Sequence, residues 1–190
     1  MTNGYEEAKG QRNFLERLGA RIPGYRGFQD RELRRDVDRL QREHLSIEVS
    51  RLKTVLQSKA RDYTDAGQIG MLNAFGRLDR QLDGLSQTIR FSDYGASGLF
   101  DPVKIGEPAL ERLYQFDLSV LDDLAAIDQA AAAVPAPTAD RTGAADSAGA
   151  ALDRVRDLVR ALDDKWRQRT QVIGQALRSG TGSSGQGAGG

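Results

Sequence analysis

Apolar residues recur every three or four positions along most of this chain, with charged residues between them, which is the period of helices that bury one face. The first such segment predicts a helix over 6–21, with Phe14, Leu15, Leu18 and Ile22 on one side. Pro23 and Gly24 end it, because proline has no amide donor and glycine tolerates positive φ. A loop containing Tyr25, Gly27 and Phe28 follows. The second predicted helix opens at Asp30, an N-cap residue, and continues to Ala66. Leu33, Val37, Leu40, His44 and Ile47 form a coiled-coil seam on it, and Leu45, Val49, Leu52, Leu56 and Tyr63 form a second stripe. The handover shifts the register by about one position, which suggests packing against more than one neighbour or a stutter in the supercoil. Unbroken, this helix would span roughly 55 Å at about 1.5 Å per residue.

Gly67 and Gly70 mark a bend before a third helix over 69–91, which carries Leu72, Phe75, Leu78, Leu82, Leu85 and Ile89 on one face. A return hairpin against the second helix is its natural place. The segment 91–108 contains Tyr94, Leu99, Phe100, Val103 and Ile105, too apolar for a floppy linker, and is expected to cross the end of the bundle. Pro108 suits the first turn of a fourth helix that uses Leu110, Leu113, Leu118, Leu121, Leu124 and Ile127. From Val134 to Ala150 the chain turns to alanine, proline, glycine and small polar residues, which reads as a flexible linker. A fifth, amphipathic helix is expected over 151–178. Leu152, Val155, Val159, Leu162, Trp166 and Ile173 lie at heptad spacing on it, and Arg169 interrupts the seam. Residues 179–190 are a glycine- and serine-rich tail of disordered composition.

These elements predict an all-α fold: an elongated antiparallel helical bundle or coiled-coil hairpin over 1–133, a linked C-terminal helix and a disordered tail. Composition agrees. Aromatics make up only 6% of the chain against 28% charged residues, which suits long helices meeting along narrow stripes better than a thick globular core. Basic and acidic residues balance at 27 each, so the chain as a whole is attracted neither to nucleic acid nor to anionic lipid. The absence of cysteine removes disulfides, thiol catalysis and thiolate metal sites, and fits a cytoplasmic protein or one peripheral to the inner membrane. The start of the sequence lacks signal-peptide character, and no apolar run is long enough to span a bilayer. Arg outnumbers Lys 22 to 5, the mark of a GC-rich bacterial genome.

The candidate chemistry is sparse. His44 is the only histidine and lies four residues before Glu48, but a metal needs further converging donors and position 41 is Gln, so no metal or cofactor is expected. The clustered carboxylates Asp36, Asp38, Asp83, Asp117, Asp122, Asp123, Asp163 and Asp164 mostly lie between arginines, and are expected on solvated, charge-paired faces. The glycine pairs lack the strand and the Lys-Ser/Thr of a phosphate-binding loop. Arg26, Arg31, Arg34, Arg35, Arg39 and Arg42 form the best candidate surface for an anion, although Asp30, Glu32, Asp36 and Asp38 offset four of the charges. The two aromatic–glycine loops, with Tyr25, Phe28, Tyr94 and Phe100, suggest a partner-binding surface, as does Trp166 beside Lys165, Arg167 and Arg169.

The run PGYRGFQDRELRRDVDRL, with DYGASGLFDPVKIGEPALERLYQFDLSVLDDL further on, resembles bacterial all-helical proteins that carry PGYxGY and RExRRxxD segments. The resemblance covers about residues 20–125 and implies a helical fold; those proteins have no assigned activity, so it implies no catalytic residue. The expectation is a non-enzymatic scaffold or protein–protein interaction module that meets a protein partner or a second copy through Tyr25, Phe28, Arg34, Arg35, Tyr94, Phe100 and Trp166. The alternatives are an amphipathic helical protein on a membrane surface, and a weak nucleic-acid binder acting through the Arg-rich face. Nucleic acid is the less favoured partner, and no small-molecule substrate is expected.

Overall fold

A computed structural model describes residues 13, 16–24, 31–92, 107–138 and 143–181 of the 190-residue chain. All regular structure among them is helical. Residues 16–21 close helix α1; α2 is Arg31–Asp65, α3 is Leu72–Phe91 after a short 3-10 turn at Ile69–Met71, α4 is Glu107–Ala132, and α5 is Gly143–Thr181. Pro108 falls in the first turn of α4. No helix among the described residues is long and apolar enough to cross a membrane.

The chain divides into two compact units. One comprises residues 1–44, 92–120 and 167–190, the other 45–91 and 121–166. We call them the Arg169 unit and the hairpin unit.

The hairpin unit has an apolar core. α2 contributes Leu45, Val49, Leu52, Leu56 and Tyr63; α3 contributes Phe75, Leu78, Leu82, Leu85 and Ile89, all buried. Spacings of three and four put each set on one helical face. α4 adds Leu121, Leu124, Ile127 and Ala131, and α5 adds Leu152, Val155, Val159, Leu162 and Trp166. α2 and α3 form the expected antiparallel hairpin. Lys53 bonds Asp83 at 2.6 Å, Gln57 bonds Asp79 at 2.8 Å, and the Tyr63 and Phe75 rings stand 5.5 Å apart. Position rises on one helix as it falls on the other.

Gly67 makes the hairpin turn possible. Its φ of +70° lets its amide reach Thr64 O at 2.9 Å while the Gln68 amide reaches Tyr63 O at 2.8 Å. These are the two bonds of a Schellman cap, which satisfy carbonyls left open at the end of α2.

The segment expected to be a flexible linker over 134–150 is structured where it is described. Val134 is buried, and three side chains of the hairpin hold the backbone that follows α4. Lys59 donates to Val134 O at 2.7 Å, the Tyr63 hydroxyl to Pro135 O at 3.0 Å, and the Gln68 amide to Thr138 O at 2.6 Å. Helix α5 starts at Gly143, eight residues before its expected start at 151, and Ala148 is fully buried on its face. Alanine is the strongest helix former, so an alanine-rich stretch with a neighbour to pack on becomes helix. At its other end α5 runs to Thr181, past the expected boundary at 178.

Candidate functional site

Two polar arrangements stand out against this apolar background, one in each unit. In the Arg169 unit, α2, α4 and α5 converge on a guanidinium that is itself buried, at 7% exposure. Arg169 donates from Nη1 to Asp38 Oδ1 at 2.6 Å and from Nη2 to Gln41 Oε1 at 2.7 Å. Its Nε lies 3.5 Å from Asp117 Oδ1. Asp38 accepts a second bond, 2.9 Å from Arg42 Nε, at its other oxygen. Asp38, Gln41 and Asp117 are all buried.

Two carboxylates thus face two guanidiniums inside a helical core. Such a layer adds little net stability over apolar packing, because desolvating the charges costs about what their attraction returns. A shift by one helical step would strand a buried charge. The Gln41 Nε2 donor is enclosed without a hydrogen-bond partner, a further cost of placing an amide here.

This layer revises two expectations. Asp38 and Asp117, expected on solvated faces, lie in the core because Arg169 neutralises them there. Arg42, expected on an exposed Arg-rich strip, turns toward Asp38 and its side chain is only 12% exposed. With Asp38 and Gln41 counted, the buried face of α2 runs through 38, 41, 45, 49, 52, 56 and 63 without the expected change of stripe. Of the stripe predicted as the primary seam, Leu40 is half-buried beside Gly24, His44 is half-buried and Ile47 is 60% exposed, while the side chains of Leu33 and Val37 lie outside the description.

The second arrangement lies in the hairpin unit, where α3 and α5 line a cleft of about 430 Å³. Its walls are Arg77, Arg80 and Gln81 from α3 with Arg156 and Arg160 from α5. Sequence reasoning missed these arginines, since only the adjacency of α3 and α5 brings them together.

Of the residues proposed from sequence for partner binding, Tyr25, Phe28, Tyr94 and Phe100 lie outside the described residues. Arg34 and Arg35 fall within helix α2, and their side chains are likewise outside the description. Trp166 is buried, at 3% exposure, and serves as packing on α5. No group of three or more His, Asp or Glu side chains among the described residues could hold a metal ion.

No protein-family model, curated protein or solved structure matches the chain. The fold defines its class, an all-helical protein of packed helices.

Proposed function

We propose that the chain is a non-enzymatic helical scaffold or interaction module that engages a protein partner or a second copy of itself through the outer stripe of α2. The observation that carries this reading is the surplus of apolar positions on that helix. One stripe is consumed by the core, while the other leaves Ile47 60% exposed beside half-buried Leu40 and His44. A helix with a second apolar face is built to pack twice. The buried Arg169 layer supports the same reading, since polar positions in helical seams serve to fix register. A scaffold needs its faces presented in fixed phase.

The lipid-surface alternative is less favoured. The apolar stripe of α5, from Ala148 through Trp166, is buried, and little of it is left for a bilayer.

Light scattering across a wide concentration range tests the proposal, on the full chain and on Ile47→Glu. The expected result is an assembly, or a complex crosslinked through α2, that Ile47→Glu disrupts with the helical content unchanged. A strict monomer at every concentration, with no crosslink from α2 to another protein in cells, would overturn it.

A further inference from the structure

Among the described residues of the hairpin unit, opposite charges pair across three helix–helix seams. Between α2 and α3, Lys53 bonds Asp83 at 2.6 Å and approaches Asp79 at 3.4 Å. Between α2 and α4, Arg51 meets Asp128 at 3.4 Å. Between α4 and α5, Lys165 pairs with Asp123. Between α3 and α5 the pattern inverts: Arg77 and Arg80 on one helix share a cleft with Arg156 and Arg160 on the other.

Spacings of three on α3 and four on α5 bring each pair of arginines onto one helical face. Arg156 is occupied by Asp153 and Asp157 of its own helix. Arg77, Arg80 and Arg160 have no carboxylate within ion-pairing distance among the described residues.

Guanidinium groups from two helices suit a ligand that carries negative charge on the oxygens of a tetrahedral group. Arginine's planar fork matches phosphate oxygens two at a time, which a lysine cannot do. The volume lies within the few hundred Å³ typical of small-molecule sites.

We propose that the α3–α5 cleft is a binding site for a small phosphate ester with at least two negative charges, held by Arg77, Arg80 and Arg160. The proposal is independent of the scaffold reading, because it uses neither the outer stripe of α2 nor self-association.

Titration calorimetry of the full-length chain tests it, with inorganic pyrophosphate and a nucleoside diphosphate as probes and sodium chloride at matched ionic strength as the reference. The expected result is saturable binding of one equivalent of each probe. Arg80→Gln/Arg160→Gln is expected to weaken binding at least tenfold, while Arg61→Gln, an exposed arginine outside the cleft, leaves it unchanged. The double variant removes repulsion and breaks no ion pair, so its melting temperature is expected to stay level or rise. Absence of saturable binding by either probe would overturn the proposal, as would an affinity unmoved in the double variant. A marked drop in its melting temperature would overturn it too, by showing the arginines to be structural. Tight binding of a single-stranded oligonucleotide with no response to either small probe would replace the proposed ligand by nucleic acid.

Discussion

The two units solve the same packing problem with different chemistry. The hairpin unit fills its core with leucine, valine, isoleucine and aromatic side chains and keeps its ion pairs on partly exposed seams, where Lys53 and Asp83 are 26% and 52% exposed. The Arg169 unit places charge inside, with Asp38 and Asp117 at 6% and 2% side-chain exposure around a guanidinium at 9%. Apolar layers are stable but tolerant of slippage, because one leucine fits a neighbouring hole nearly as well as the next. A buried charged layer is costly to assemble and has one good alignment. The contrast separates stability from specificity: one unit is built mainly for the first, the other spends some of it on the second.

Removing Arg169 gives the largest expected effect. Arg169→Met keeps an unbranched stem but removes the cation that faces both Asp38 and Asp117, leaving Asp38 with Arg42, and should cost about 3–5 kcal/mol. Urea unfolding followed by circular dichroism measures it. A loss below about 1 kcal/mol would mean that the layer is open to water, which supplies the missing partner. The comparison sharpens when the whole layer is replaced. Asp38→Leu, Gln41→Leu and Asp117→Leu combined with Arg42→Met and Arg169→Met should recover the stability lost, or exceed the parent by about 1–4 kcal/mol. If the layer sets register, that stable variant will show broadened or doubled amide resonances in residues 31–44 and 167–181. A single sharp set of peaks would leave the layer without a specificity role.

In the apolar unit the corresponding damage is a cavity. Leu82 on α3 is 1% exposed, and Leu82→Ala should cost about 2–5 kcal/mol, depending on how far the surrounding helices relax. No multiple substitution analogous to the layer swap would rescue it, since the loss is volume and not an unmatched charge. Combining Leu82→Ala with Arg169→Met tests whether the two units unfold together: one transition means a single cooperative structure, two mean separate ones.

The same division explains what the sequence could reveal. The hairpin unit was legible because its signal is local. Leu78, Leu82, Leu85 and Ile89 repeat at helical spacing within a dozen residues, and Gly67 announces the turn. The Arg169 layer was not, because Asp38 and Arg169 are separated by 131 positions and each looks alone like a surface residue. Periodicity assigns polar residues to the outside, so Asp38 and Gln41 were excluded from the buried stripe of α2, and a register shift was inferred where none exists. A signal was present nonetheless: Arg169 falls on the heptad seam of α5, and an arginine in a seam calls for acidic residues in the seams it faces. Asp38 and Asp117 occupy such positions. The α3–α5 cleft was hidden for a related reason, since its arginines become a group only once α3 and α5 are known to be neighbours. The expected linker failed on tertiary context, as Lys59, Tyr63 and Gln68 supply donors that composition does not reveal.

A smaller effect is expected where the hairpin turns. Gly67 sits at φ +70°, a conformation that costs an L-residue about 1–2 kcal/mol, so Gly67→Ala should destabilise by that order. Thermal melting detects it. An unchanged melting temperature would show that the turn can relax to another cap, and that the hairpin does not depend on the Schellman bonds.

The smallest effect at neutral pH becomes informative in alkali. Tyr63 packs its ring in the apolar unit and donates its hydroxyl to Pro135 O, so Tyr63→Phe keeps the packing and loses one bond, about 0.5–1.5 kcal/mol. Burial raises the Tyr63 phenol above its ordinary 10.0, because the phenolate would lose its hydration. The folded chain therefore holds that proton more tightly than the unfolded chain. Its contribution is complete below pH 10 and is lost as pH climbs through the raised value. Lys53 acts in the same direction from its own ordinary 10.5, raised chiefly by its hydrogen bond to Asp83, although solvent screening keeps its share small. Stability of the parent should thus fall above pH 10, and Tyr63→Phe should flatten that decline, so that the variant, weaker at pH 7, draws level with the parent in alkali. Urea midpoints measured across the alkaline range decide it. Parallel declines for parent and variant would mean that the phenolate finds solvent without unfolding, and that the contact between Tyr63 and the chain after α4 opens on its own.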